Sequence, residues 1–103
     1  MNLDSIFGSL ADPIRRDILR RVMNCELNVS EIALPYSVSL AAVSKHLKIL
    51  ERAQLITKRR KGKEQFVAIS PAALQQADEY INQYASLWNG RFDRLEAYLN
   101  EKE

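Results

Sequence analysis

"SLAAVSKHLKILERAQLI", residues 39–56, is the stretch on which the fold turns. Leu40, Val43, Leu47 and Leu50 fall three and four apart, the spacing of one face of a helix. Ser39 can offer its oxygen to the unpaired backbone N–H groups of a first turn, so a helix is predicted from there to Arg52 or Ala53. Its front end carries small or polar side chains: Ala41, Ala42, Ser44, Lys45 and His46. A helix anchored from behind by apolar residues and short at its front suits the major groove of DNA, because bulk there would hold it away from the base edges. Ala41 and Ala42 are small enough to approach thymine methyls, Ser44, Lys45 and His46 can hydrogen-bond to bases or phosphates, and Lys48 suits a phosphate. The solvated side of any packed helix looks similar, so the neighbouring segments have to decide.

Upstream, a short helix is predicted to begin at Val29 or Ser30, and Pro35 limits its length. Two short helices joined tightly outline a helix-turn-helix. Downstream, "LITKRRKGKEQFVAIS" changes character: strand-favouring Phe66, Val67 and Ile69 follow a turn at Lys61, Gly62 and Lys63. A small hairpin is expected, with Arg59, Arg60, Lys61 and Lys63 towards its tip, and it must rest on the helices to be stable. The expected fold is mostly α with a small β-hairpin, a winged helix-turn-helix.

The flanks complete this outline. Asn2 to Leu10 form a short helix with Ile6 and Leu10 one turn apart. Asp12 and Pro13 make a cap and first turn for "DPIRRDILRRVM", which sets Ile14, Ile18 and Val22 on one face and Arg15, Arg16, Arg20 and Arg21 off it. These arginines keep a face wet or assist phosphate binding. Ser70 and Pro71 start a helix predicted over 71–99, with Leu74, Ala77, Ile81, Tyr84, Trp88, Phe92, Leu95 and Leu99 recurring every three or four residues. The stripe is too long for so small a domain to cover, so its outer half is expected to meet another chain. Gly90, which lowers helix propensity by roughly 1 kcal/mol relative to Ala, is the expected place for a bend.

A single domain over residues 1–103 fits the length. The formal charge of +2 conceals a strong bias: residues 45–63 hold eight Lys or Arg against Glu51 alone, a local +7, and the rest sums to −5. Basic charge concentrated on the predicted helix and wing fits a polyanion. No apolar run approaches the roughly 20 residues that cross a bilayer and no signal-peptide pattern is present, so a cytoplasmic location is expected. Cys25 is the only cysteine, which excludes an intrachain disulfide and a cysteine metal cluster; it is expected as a small core residue. Three scattered glycines, one His and unpatterned carboxylates give no phosphate-cradling loop and no catalytic pairing, so an enzyme is not expected.

"LADPIRRDIL" at 10–19 and "VSKHLKILERAQLITKRRKGKEQF" at 43–66 resemble the arsenic-repressor (ArsR) family of bacterial winged-helix regulators, and the similarity extends over residues 3–70. The resemblance implies a homodimer joined by its first and last helices, which would place Ile6, Leu10, Ile81, Tyr84, Trp88, Phe92 and Leu95 at the interface. It also implies repression by occupying an inverted-repeat operator in double-stranded DNA, relieved by an inducing signal. By position, Ser39, Ala41, Ala42, Ser44, Lys45 and His46 match the DNA-reading part, and Arg59 to Lys63 match the wing. Many members hold a metal through two cysteines at the start of the third helix, or through Asp and His of the last one. Asn28 and Ser30 stand in the cysteine places and the last helix has no His, so neither a metal nor another cofactor is expected. The alternative function is a winged-helix protein-interaction module, since fold does not dictate function.

Overall fold

The computed structural model describes residues 2–101, and of residues 90–94, 97 and 101 the backbone only. In chain order the elements are α1 (Leu3–Leu10), α2 (Pro13–Val22), β1 (Leu27–Asn28), α3 (Val29–Ala33), α4 (Leu40–Arg52), β2 (Ile56–Lys61), β3 (Glu64–Ile69), α5 (Pro71–Asn82) and α6 (Ala85–Glu101). This is a winged helix-turn-helix: mostly helical, with a three-stranded antiparallel sheet in the order β1-β3-β2.

Local chemistry sets the helix starts. The Asp12 carboxylate accepts from the backbone N–H groups of Ile14 and Arg15 at 2.8 and 3.1 Å, and Pro13 opens the first turn of α2. Desolvation pushes the Asp12 carboxyl up, but the hydrogen bonds from Arg15 and Ile14 and the charge of Arg15 bring it below its ordinary value. Asn28 caps α3 in a reciprocal capping box: its oxygen accepts from the Glu31 N–H at 2.8 Å, while its own N–H donates to the Glu31 carboxylate at 3.4 Å. The Ser39 hydroxyl oxygen accepts from the Ala42 N–H at 3.1 Å, as expected for the start of α4. Ser70 precedes α5 but makes no side-chain cap, contrary to expectation; Pro71 supplies the start.

The core gathers one apolar residue or more from nearly every element. Ile6 of α1, Ile18 and Val22 of α2, Ile32 of α3, Val43, Leu47 and Leu50 of α4, Leu55, Ile56 of β2 and Val67 of β3 are all buried. Ala73 and Ala77 let α5 lie close to α1. Three expectations about this core need correction. Leu40 is 59% exposed, because it sits in the first turn of α4, beyond the reach of the residues that cover Val43. Ile6, expected at a dimer interface, is wholly inside the protomer's own core. Cys25, expected in the core, is exposed after the end of α2.

The predicted helix over 71–99 is two helices, and the break is not at Gly90. The N–H groups of Gln83 and Tyr84 bond three residues back, to the carbonyls of Tyr80 and Ile81, which tightens the last turn and ends α5 at Asn82. The backbone of α6 then runs through Gly90 unbroken. The long axis is 63 Å and the radius of gyration 18.4 Å. A compact chain of this length would have a radius near ~13 Å, so α6, which packs chiefly on α5, stands out from the body.

The join between α4 and the wing is fixed by backbone geometry. The N–H of Leu55 bonds to the carbonyl of Leu50 at 3.0 Å and that of Gln54 to Glu51 at 2.9 Å, a Schellman ending closed by the buried pair Leu50 and Leu55. Gln54 takes the left-handed position, φ 60, which glycine usually fills. At the far end of the wing Gly62, φ 63, opens the two-residue turn whose primed geometry matches strand twist. Replacing Gln54 with Gly removes the clash of a Cβ in the left-handed region. Urea denaturation of Gln54→Gly is therefore expected to show a gain of about 1 kcal/mol; a loss of stability would contradict the strained ending.

Candidate nucleic-acid interface

On α4 the buried Val43, Leu47 and Leu50 define the back. Helical geometry puts Ala41, Lys45, Lys48 and Arg52 on the opposite side, at spacings of four, three and four, and all four are exposed. Ser44 and Ala42 lie on the flanks, half-buried. Among the described residues Lys45 and Lys48 have no hydrogen-bond or close ion-pair partner, so their charges are open to a ligand. Ser39 is exposed, but its oxygen is already used in capping α4. Leu40, assigned to the core by periodicity alone, joins Ala41 as apolar surface at the front of this helix. Only the position of Leu40 in the first turn, past the core, could have signalled this in the sequence.

His46 is half-buried and engaged. Arg15 Nη1 lies 3.1 Å from His46 Nδ1. A guanidinium can only donate, so Nδ1 is the acceptor, the ring is neutral in this contact, and its proton is on Nε2. The same guanidinium donates to the Ser9 carbonyl through Nε at 2.8 Å and to the Gly8 carbonyl through Nη2 at 3.3 Å. Arg15 thus ties the end of α1 to the middle of α4.

The other arginines of α2 are equally occupied, which their even spacing did not reveal. Arg16 donates to the Leu10 carbonyl at 2.8 Å, while Arg21 donates to the carbonyls of Ile32 and Glu31 at 2.8 and 2.9 Å. Carbonyls at the ends of short helices have no partner within the helix, and the dipole there favours a cation. Arg20 pairs with Asp17, whose other oxygen accepts from the Tyr36 hydroxyl. Arg21 also sits over the Tyr36 ring, 5.4 Å from its centre. Arg16 and Arg21 thus tie α2 to the ends of α1 and α3, while the exposed Arg20 pairs within α2.

The wing divides by strand parity. Residues paired across an antiparallel ladder share a face: Ile56, Lys58 and Arg60 lie with Ile69, Val67 and Gln65, while Arg59 and Lys61 lie with Phe66 and Glu64. Lys58 pairs with Glu51 at 3.4 Å, tying the wing to α4. Arg60, Lys61 and Lys63 are exposed and, like Lys45, have no hydrogen-bond or close ion-pair partner among the described residues. Arg59 differs from the expected open cation: it is held by Glu26 in a two-point ion pair.

Among the described residues no three His, Cys, Asp or Glu side chains come together as a metal site. Nor is any helix there long and apolar enough to cross a membrane. Asn28, which has no metal-binding side chain, is used to cap α3.

With this geometry in place, the comparisons are consistent with one another. The pattern described as "Bacterial regulatory protein, arsR family" matches residues 12–58, from the cap of α2 into the wing. The crystal structure of an ArsR family transcriptional regulator, RHA00566, superposes with a TM-score of 0.79 at 31% identity, covering 84% of this chain and 90% of that one. The chain belongs to the ArsR family. It is similar to the transcriptional repressor SdpR of Bacillus subtilis (strain 168), 29% identical over 79 residues, covering 77% of this chain and 88% of the relative. It is also similar to the HTH-type transcriptional regulator Rv2034 of Mycobacterium tuberculosis, 38% identical over 71 residues, 69% of this chain and 66% of the relative. The members it resembles are transcriptional regulators, not enzymes.

For this ArsR-family chain the link between α1 and α4 gives a test that needs no DNA. Arg15→Ala leaves the Ser9 and Gly8 carbonyls and His46 Nδ1 without their donor, and should cost about 2 kcal/mol in urea denaturation. Arg15→Lys should recover little of this, because a single ammonium does not reproduce the guanidinium fork. Equal stability of Arg15→Ala and the unmodified protein would contradict the assigned role.

Proposed function

We propose that this ArsR-family regulator is a homodimeric, sequence-specific repressor that places two copies of α4 in successive major grooves of an inverted-repeat operator. The observation that carries the proposal is the exposed ridge of Ala41, Lys45 and Lys48, with unpaired cations, on a helix pinned from behind by Val43, Leu47 and Leu50. Ala41 and Leu40 offer apolar contact to thymine methyls, Ser44 and Lys45 reach base edges, and Ala42 permits close approach. Lys48, Arg60, Lys61 and Lys63 contact phosphates and fix the register of the helix in the groove. Ser39 and His46 serve chiefly to fix the helix, with the His46 Nε2–H left to donate. The resemblance to a protein named as a repressor supports repression over activation.

The dimer is supported by apolar surface that one protomer leaves uncovered. Ile81 and Tyr84 at the end of α5, with Leu87, Trp88, Leu95, Tyr98 and Leu99 of α6, are 39–61% exposed on the helix that stands out from the body. An uncovered stripe of this kind is what an interface between chains requires. The side chain of Phe92, also expected there, lies outside the described residues. Leu10 is half-buried and packs against the protomer's own core, so it contributes at most an edge to the interface. Phe7 meets Tyr80 edge to face at 5.8 Å between ring centres, and Tyr80 meets Tyr84 in the same way at 5.6 Å, so α1 extends the aromatic surface.

Selection of genomic fragments by the purified protein should enrich an inverted repeat with half-sites one helical turn, about 34 Å, apart. Lys45→Ala should change which fragments win, whereas Arg60→Ala should weaken binding to all fragments alike and make the salt dependence shallower by about one phosphate. No enrichment, with weak salt dependence, would instead favour a protein-interaction module. Trp88→Ala should shift the sedimentation equilibrium toward monomer, and a monomeric unmodified protein would contradict the two-half-site arrangement.

A further inference from the structure

One basic residue of the wing expected to meet DNA, Arg59, is already bound to an anion of the same chain. Arg59 Nη2 donates to Glu26 Oε1 at 2.6 Å and Nε donates to Oε2 at 3.1 Å, the two-point fork that guanidinium groups also make with phosphate. The guanidinium carbon lies 5.7 Å from the centre of the Phe66 ring, directly across the ladder from Arg59. Glu26 immediately precedes β1, whose Asn28 pairs with Phe66 from the other side. The ion pair therefore spans the whole sheet on one face, from the wing's edge strand to the segment that leads into α3. The hydrogen bonds from Arg59 hold the Glu26 carboxyl below its ordinary value, and the charge of Lys61 on the same face adds to this.

We propose that Glu26 is a positioning residue for the wing: it holds Arg59 as an internal stand-in for phosphate in the free protein and yields it to the DNA backbone on binding. The inference rests on the DNA-binding reading above. Both residues are substantially exposed, with side-chain exposures of 59% for Arg59 and 31% for Glu26, so the exchange moves the guanidinium from one solvated anion to another and buries no charge unpaired. Competition from Glu26 lowers affinity for all sequences alike, because phosphate contacts carry no base information. The net effect is to suppress nonspecific occupancy while leaving the contacts of Lys45 and Ser44 untouched. The Phe66 ring keeps the guanidinium plane in place during the exchange.

A double-mutant cycle on random-sequence duplex DNA tests this, using the full chain with Glu26→Gln, Arg59→Gln and both together, each titrated at several salt concentrations. Neither substitution empties the core. Glu26→Gln is expected to tighten binding about two- to fivefold, the range an exposed ion pair corresponds to. The slope of log K against log salt should stay essentially the same, because Arg59 reaches one phosphate in either protein. In the Arg59→Gln background Glu26→Gln should change neither quantity. An equal gain in both backgrounds would reduce Glu26 to bulk charge and overturn the proposal. So would no gain, or a loss, in the Arg59 background, since the pair would then persist in the complex. Failure of the unmodified protein to bind DNA at all would overturn the DNA-binding reading and this inference with it, an outcome distinct from the other two.

Discussion

Everything presented on the outward side of α4 depends on the burial of three residues behind it. Val43, Leu47 and Leu50 are at most 1% exposed and pack into a core shared with Ile6, Ile18 and Ile32 from the three preceding helices. Burying each such side chain is worth roughly 1.5–3 kcal/mol, which outweighs the polar contacts the helix makes. A helix held in this way cannot turn about its axis without exposing apolar surface. The direction in which Lys45 and Lys48 point is thus set by the core.

The same economy runs through the charged residues. Short helices leave a large share of their carbonyls without partners, and α2 supplies arginines to meet them: Arg15 and Arg16 at the end of α1, Arg21 at the end of α3. The wing is attached to α4 twice, by the Schellman ending that turns α4 into β2 and by Lys58 with Glu51. Among the described residues, the cations of α4 and the wing without a hydrogen bond or close ion pair are Lys45, Lys48, Arg52, Arg60, Lys61 and Lys63. The count of eight basic residues visible in the sequence therefore overstates the open charge, because Lys58 and Arg59 are already paired.

Most of the fold could be read from residues close together in the chain. Asp12 with Pro13, Ser39 ahead of α4, and Gly62 in the turn each act within a few residues, so their chemistry is legible locally. What escaped is nonlocal. The Arg59 and Glu26 pair joins residues 33 apart, and the Arg15 and His46 contact joins residues 31 apart. Periodicity marked Leu40 as an anchor but carries no information on where the core ends. It also ran through Tyr84 without interruption, while the backbone there tightens and turns. β1 is two residues long, too short to leave a pattern, yet it brings Glu26 to the wing. Of the interface, the ridge on α4 was legible as a face; the division of the wing into paired and unpaired cations was not.

The central claim is that a rigidly anchored α4 and the tip of the wing form one surface for DNA, separate from the apolar surface of α5 and α6. Amide hydrogen exchange of the protein, free and bound to its selected operator duplex, tests it most directly. The account predicts that slowed exchange on binding centres on residues 39–48 and 60–64, with 81–99 unchanged. Slowing centred on 81–99, or spread evenly over the chain, would contradict it.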